Sequence, residues 1–136
     1  MKLIVDTNTA LSSLFKPESR PAQIVQLWRD GAFEWMTCSH QLEELSRVLS
    51  RPKIISRIPG GLETAQQFVQ QLHADCTLVA LAPPFAALCR DPKDDYLMTL
   101  LLKSKAMHMV SGDKDLLVLK DKWPAIVTAT EFLDRL

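Results

Sequence analysis

The stretch Leu3-Ile4-Val5-Asp6-Thr7-Asn8, near the start of the chain, decides how the rest is read. Three apolar residues, two of them β-branched, form a short strand, and the acid and two small polar residues after them close it. Outward from it the same unit recurs. A helix is expected from about Thr9 to Phe15, a loop over 16–21, and a second helix from Ala22 to Asp30 that Gly31 ends. Glu34 to Cys38 reads as the second strand, and Ser39 as the N-cap of a helix from His40 to Leu49. Pro52 breaks that helix, and the stretch to Gly60-Gly61 is short helix or turn. Leu62 to His73 is helical and Cys76 to Leu81 a third strand, after which Pro83-Pro84 forces a loop. Asp91-Pro92 marks a helix start, with an acid at the cap and proline at the first helical position. A strongly apolar helix then runs to about Ser104, followed by a strand from Met107 to Val110 and a short helix from Asp113 to Leu119. Ile126-Val127 is an expected edge strand, and Glu131 to Leu136 a last helical turn or two. Strands separated by helices imply right-handed β-α-β crossovers and a parallel sheet covered on both faces, an α/β sandwich.

The composition bounds what such a chain does. Its 136 residues are the size of one ordinary domain, so residues 1–136 are expected to form a single unit with its own core. A hydrophobic share of 47% against 24% charged residues is that of a soluble globular protein. No apolar run approaches the roughly 20 residues of a membrane-spanning helix. Asp6 interrupts the first apolar run too early for a signal peptide, so the expected location is cytoplasmic. Cys38, Cys76 and Cys89 are widely spaced, lack any C-x-x-C pairing and read as reduced thiols. His40, His73 and His108 are equally scattered and read as structural.

The formal net charge is zero, so no global basic field attracts a polyanion. Contact with nucleic acid would need a local patch, for which Arg47, Arg51, Lys53 and Arg57 are the candidates. Taken alone, that run is equally a solvated helix face.

The acids carry more information. In open parallel sheets ligands bind at the carboxyl ends of the strands. Asp6 directly follows the first strand, and Asp113 follows the fourth by way of Ser111-Gly112. In the helix from His40, the buried face is Leu42, Leu45, Val48 and Leu49, which turns Glu43 to solvent and leaves Glu44 on the flank. The apolar helix before Ser104 has one polar stripe, Asp95, Thr99 and Lys103, with Asp95 in the first turn. Asp91, Asp94 and Asp115 are each explained as caps or first-turn acids, and so is any single acid here. Both helical candidates have an acidic neighbour, Glu43 and Asp94, so a shift of one residue stays open. The argument lies in the combination. Carboxylates gathered at one site repel by roughly 1 to 4 kcal/mol per pair at 4 Å, which a divalent cation offsets. Hard oxygen ligands suit Mg²⁺ or Mn²⁺, and acids without a cysteine or histidine nucleophile suit metal-activated water attacking a phosphodiester.

Four ordered blocks resemble the PIN domain, and within it the single-domain PIN ribonucleases that act as toxins in toxin–antitoxin pairs. They are Leu3-Ile4-Val5-Asp6-Thr7-Asn8; Glu44-Leu45 within Leu42 to Lys53; Arg90-Asp91-Pro92-Lys93-Asp94-Asp95; and Val110-Ser111-Gly112-Asp113-Lys114-Asp115-Leu116-Leu117. The resemblance covers nearly the whole chain. It implies a PIN-like three-layer α/β/α sandwich on a mostly parallel sheet of four to five strands. By it Asp6, Glu44, Asp95 and Asp113 match the metal-binding catalytic acids, Asn8 and Ser111 match positions beside them, and Asp115 matches an accessory acid. It also implies Mg²⁺ or Mn²⁺, single-stranded or structured RNA as substrate, an antitoxin partner and a homodimer, and Arg47, Arg51 and Lys53 of the basic run are then the candidate RNA contacts. Two other readings compete. A phosphatase of the haloacid dehalogenase type would carry an acid two residues after its nucleophile, where this chain has Asn8, which cannot donate and retrieve a proton. A PIN-like module that binds RNA or a partner without cutting is the other.

Overall fold

The computed structural model describes residues 1–85 and 87–136. The chain runs β1 (Lys2–Val5), α1 (Thr7–Phe15), α2 (Arg20–Arg29), β2 (Glu34–Thr37), α3 (Ser39–Val48), α4 (Pro52–Ile55), α5 (Gly61–Asp75) and β3 (Thr77–Leu78). A 3₁₀ turn over Pro92–Asp94 leads into α6 (Asp95–Ser104), β4 (His108–Val110), α7 (Lys114–Leu117), β5 (Ile126–Val127) and α8 (Ala129–Asp134). The five strands form one sheet in the order β3-β2-β1-β4-β5, and each pairing is parallel.

Strand alternation sorts the core into two layers. Leu3 and Val5 of β1 face one side with Trp35, Ile24, Leu45 and Phe68, beneath α1, α2, α3 and α5. Ile4 faces the other side with Met36 and Met109, beneath α6. Leu97, Met98, Leu100 and Leu101 of α6 are buried there, each worth about 1.5–3 kcal/mol relative to exposure. That anchorage holds the N-terminal end of α6 in place. The result is the expected α/β/α sandwich, with β5 at the edge. No helix among the described residues is long and apolar enough to cross a membrane.

Several boundaries differ from the sequence reading, each for a local reason. Cys38, not Ser39, sits at the N-cap of α3, and it gives no side-chain hydrogen bond. α2 starts at Arg20 because Ser19 caps it, its hydroxyl accepting from the Ala22 N–H at 3.3 Å. β3 shortens to two residues because it has only β2 to pair with, although the Val79 N–H still reaches the Thr37 carbonyl at 2.8 Å. α8 begins earlier than expected, at a capping box in which Thr128 and Glu131 satisfy each other's backbone N–H groups.

The strand order places the functional end of the sheet. From β1 the chain builds outward through β2 to β3, then crosses back to lay β4 and β5 on the opposite side. The switch point lies between the carboxyl ends of β1 and β4, where parallel sheets open a crevice.

Candidate active site

Asp6 stands at that switch point. Its N–H donates to the Val110 carbonyl at 3.0 Å, tying the ends of β1 and β4 together. Its side chain is the N-cap of α1, with Oδ1 accepting the Thr9 N–H at 2.7 Å. Oδ2 accepts the Ser111 hydroxyl at 2.5 Å. Burial pushes the Asp6 carboxyl above its ordinary value, the hydrogen bonds from Ser111 and Thr9 oppose the rise, and the charge of Asp113 adds to it. Ser111 links the two acids directly, since its oxygen also accepts the Asp113 N–H at 3.0 Å. Asp113 in turn caps α7, taking the Asp115 N–H at 2.9 Å.

Glu44 approaches from α3. Gln41, fully buried, donates from Nε2 to the Val5 carbonyl at 2.7 Å and accepts the Thr37 hydroxyl at 2.6 Å. This fastens the first turn of α3 to the carboxyl ends of β1 and β2. Glu44 follows almost one turn later and is half-buried, while Glu43 is exposed. The buried Tyr96 hydroxyl donates to Glu44 Oε1 at 3.3 Å and lies 3.2 Å from the Thr7 hydroxyl.

The start of α6 gives Asp94 and Asp95, which the sequence left open as alternatives, different surroundings. Asp95 is buried, and its Oδ1 accepts the N–H groups of Leu88 at 3.2 Å and Cys89 at 2.9 Å. Its carboxylate therefore holds the preceding loop against α6. Asp94 is the acid in the field of the others. Burial, then the charges of Asp113, Asp91, Asp115 and Asp6, push its carboxyl up to about 6. The physical reason is the junction between the 3₁₀ turn and α6, where adjacent side chains project in different directions. One carboxylate oxygen from each of Asp91, Asp94 and Asp115 lies within 4.8 Å of the other two. Asp91 also caps the 3₁₀ turn, accepting the Lys93 N–H at 3.0 Å, and Asp115 takes an exposed ion pair from Arg90 at 2.9 Å.

Asp94 Oδ2 is shielded from solvent and has no hydrogen-bond partner among the described residues. An unpartnered carboxylate oxygen in a cluster of like charges is what a hard divalent cation neutralises, so the donor set fits Mg²⁺ or Mn²⁺.

Two grooves meet at Asn8. One, of about 830 Å³, includes Asp113, Asp115, Ser111, Arg20 and Lys114. The other, of about 680 Å³, includes Glu44, His40, Phe85, Tyr96, Arg47 and Arg51. Within the basic run of the sequence, Arg47 and Arg51 thus border the site, Lys53 is exposed on α4, and Arg57 covers the Phe15 ring at 4.0 Å. The cysteines are free thiols, and burial pushes Cys76 and Cys89 up to about 12, far from reactive. Tyr96 and Phe85 had no motif to mark them, because their partners are distant in sequence.

A family model described as PIN domain matches residues 2–115. The chain belongs to the PIN domain family. The match contains every candidate site residue from Asp6 to Asp115. This PIN domain is 27% identical over 122 residues to the uncharacterized protein MJ1680 of Methanocaldococcus jannaschii, covering 90% of this chain and 77% of that one. Its fold is similar to a chain in the crystal structure of VapBC2 from Rickettsia felis bound to a DNA fragment from their promoter. There the TM-score is 0.59 at 14% identity, covering 94% of this chain and 97% of the other.

Proposed function

We propose that this PIN domain is a Mg²⁺- or Mn²⁺-dependent endoribonuclease and the toxin of a toxin–antitoxin pair. PIN domains are in general nucleases. The observation that carries the reading is the gathering of Asp6, Asp113 and Asp94 at the switch point between β1 and β4, with Glu44 lining the groove that adjoins it at Asn8. We assign the third site acid to Asp94 in place of Asp95, whose carboxylate is taken up by the loop.

A divalent cation bound by these carboxylates supplies a more acidic water and charge neutralisation at the phosphodiester. The chain's own residues do the rest. Ser111 and Thr9 fix both oxygens of Asp6, and Ser111 sets the distance between Asp6 and Asp113. Tyr96 orients Glu44 at the mouth of the second groove. Asn8 lines both grooves, and its amide would donate to a strand passing from one to the other.

The partner follows from the same family reading. Single-domain PIN toxins are held by an antitoxin, and the similar fold belongs to a VapBC2 complex. We extend that pairing, and a homodimer, to this chain.

The deciding measurement is cleavage of a mixed pool of single-stranded RNAs with Mg²⁺ or Mn²⁺, against an EDTA control and Asp6→Asn purified in parallel. Metal-dependent cutting lost in the variant is expected. Tight RNA binding with no cutting would favour the binding module instead, and turnover of small phosphate esters the phosphatase.

A further inference from the structure

The groove beside Glu44 contains three rings, His40, Phe85 and Tyr96, of which the proposed chemistry uses only the Tyr96 hydroxyl. His40 lies with its ring centroid 4.3 Å from that of Tyr96, tilted by 45°. Phe85, from the loop before α6, stands 5.9 Å from His40 at 80°, nearly perpendicular. Tyr96 is buried and backs the other two, whereas His40 is exposed and Phe85 half-buried. The rings form a corner open to the groove, with a floor and a wall. A buried aromatic cluster would close on itself, but this one presents its outer rings to solvent.

The charge around the corner is unlike that of the rest of the chain. Among the described residues, Arg47, Arg51 and Lys93 border this groove against the acid Glu44, a net positive lining. The adjoining groove sets Arg20 and Lys114 against Asp113 and Asp115, with no net charge among its described residues. In a chain of zero net charge, a polyanion is drawn to the His40 side. About 680 Å³ is room enough for a nucleotide.

We propose that this groove is a nucleobase-stacking subsite, with His40 and Phe85 as the stacking rings and Arg47, Arg51 and Lys93 as phosphate contacts. The proposal rests on the ribonuclease reading and adds to it a base-binding subsite with named residues. A base in an A-form duplex has both faces covered by its neighbours, so only an unpaired base can enter the corner. Stacking is tolerant of sequence because every base has a π-face. Asn8, shared by the two grooves, puts the stacked base next to the phosphate at the acids.

The test uses Asp6→Asn protein and a short single-stranded RNA carrying a fluorescent purine analogue. Quenching on binding is expected, with roughly 5- to 150-fold weaker binding of an abasic strand of the same length and charge. His40→Ala and Phe85→Leu should weaken binding of the complete strand alone, Phe85→Leu keeping bulk in case truncation unfolds the loop, and Phe85→Tyr should restore it. Equal binding of the complete and abasic strands overturns the stacking subsite. If the parent protein still cuts RNA with metal, that result leaves the ribonuclease reading standing. If the parent neither binds nor cuts RNA, the ribonuclease reading itself fails and takes the subsite with it. Unchanged RNA binding by His40→Ala and Phe85→Leu, with neutralisation by an antitoxin impaired, would give the groove to a protein and overturn the proposal.

Discussion

Asp94 and Asp95 are adjacent, yet their carboxylates serve opposite ends of the same helix start. Asp95 Oδ1 gathers the N–H groups of Leu88 and Cys89, whereas Asp94 Oδ2 is shielded and unpartnered among the described residues, in the field of Asp113 and Asp91. One acid is held by hydrogen bonds from the protein, and the other is buried among like charges. The pair therefore separates structural from functional consequences within a single motif.

Substitution at the two positions should give opposite phenotypes. Asp95→Ala leaves two backbone N–H groups without their acceptor and should cost about 1–3 kcal/mol of stability while the metal response survives. Asp94→Asn should keep or raise the melting temperature of the metal-free protein and abolish both cleavage and the rise in Tm with Mg²⁺. Thermal melts with and without metal check both. A metal response lost in Asp95→Ala and retained in Asp94→Asn would reverse the assignment.

The raised carboxyl of Asp94 also sets a pH dependence. Its folded-state pKa of about 6 lies above the ordinary 3.8, so the folded chain holds that proton more tightly than the unfolded one. The resulting stabilisation is complete below about pH 4 and is lost as pH rises through about 6. Without metal, the Tm advantage of Asp94→Asn over the parent should be smallest near pH 4 and grow toward pH 7. Parallel melting curves across that range would show that Asp94 is not strained by its neighbours.

Ser111 joins Asp6 to Asp113 through one hydroxyl. Ser111→Ala should leave the fold intact and lower metal affinity and cleavage by about 10- to 100-fold, the usual effect of losing a group that orients a ligand. Isothermal titration with Mn²⁺ measures the first and RNA cleavage the second. Full activity would mean that Thr9 alone holds Asp6.

Tyr96→Phe removes the hydroxyl between Glu44 and Thr7 but keeps the ring that backs His40. Cleavage should fall through kcat, by an amount corresponding to about 0.5–1.5 kcal/mol, while RNA affinity stays unchanged. A drop in affinity instead would place the hydroxyl in substrate binding.

The sequence by itself determined the order of strands and helices and the placement of acids at two strand ends. These depend on local physics: apolar runs, caps, proline and glycine, and the rule that strand–helix alternation makes a parallel sheet with its crevice at the carboxyl ends. Asp6 and Asp113 are strand-end residues, so a register read to within a residue suffices to find them. Only the tertiary structure distinguishes the surroundings of Asp94 and Asp95, because they depend on a 3₁₀-to-α junction and on a loop whose N–H groups claim one carboxylate. It alone joined Tyr96 to Glu44 across 52 residues and set His40 against Phe85. Such contacts are non-local, and a single chain carries no periodic signal of them. Side chains distant in sequence are brought to one groove only by the packing of α3 and α6 on the ends of the sheet.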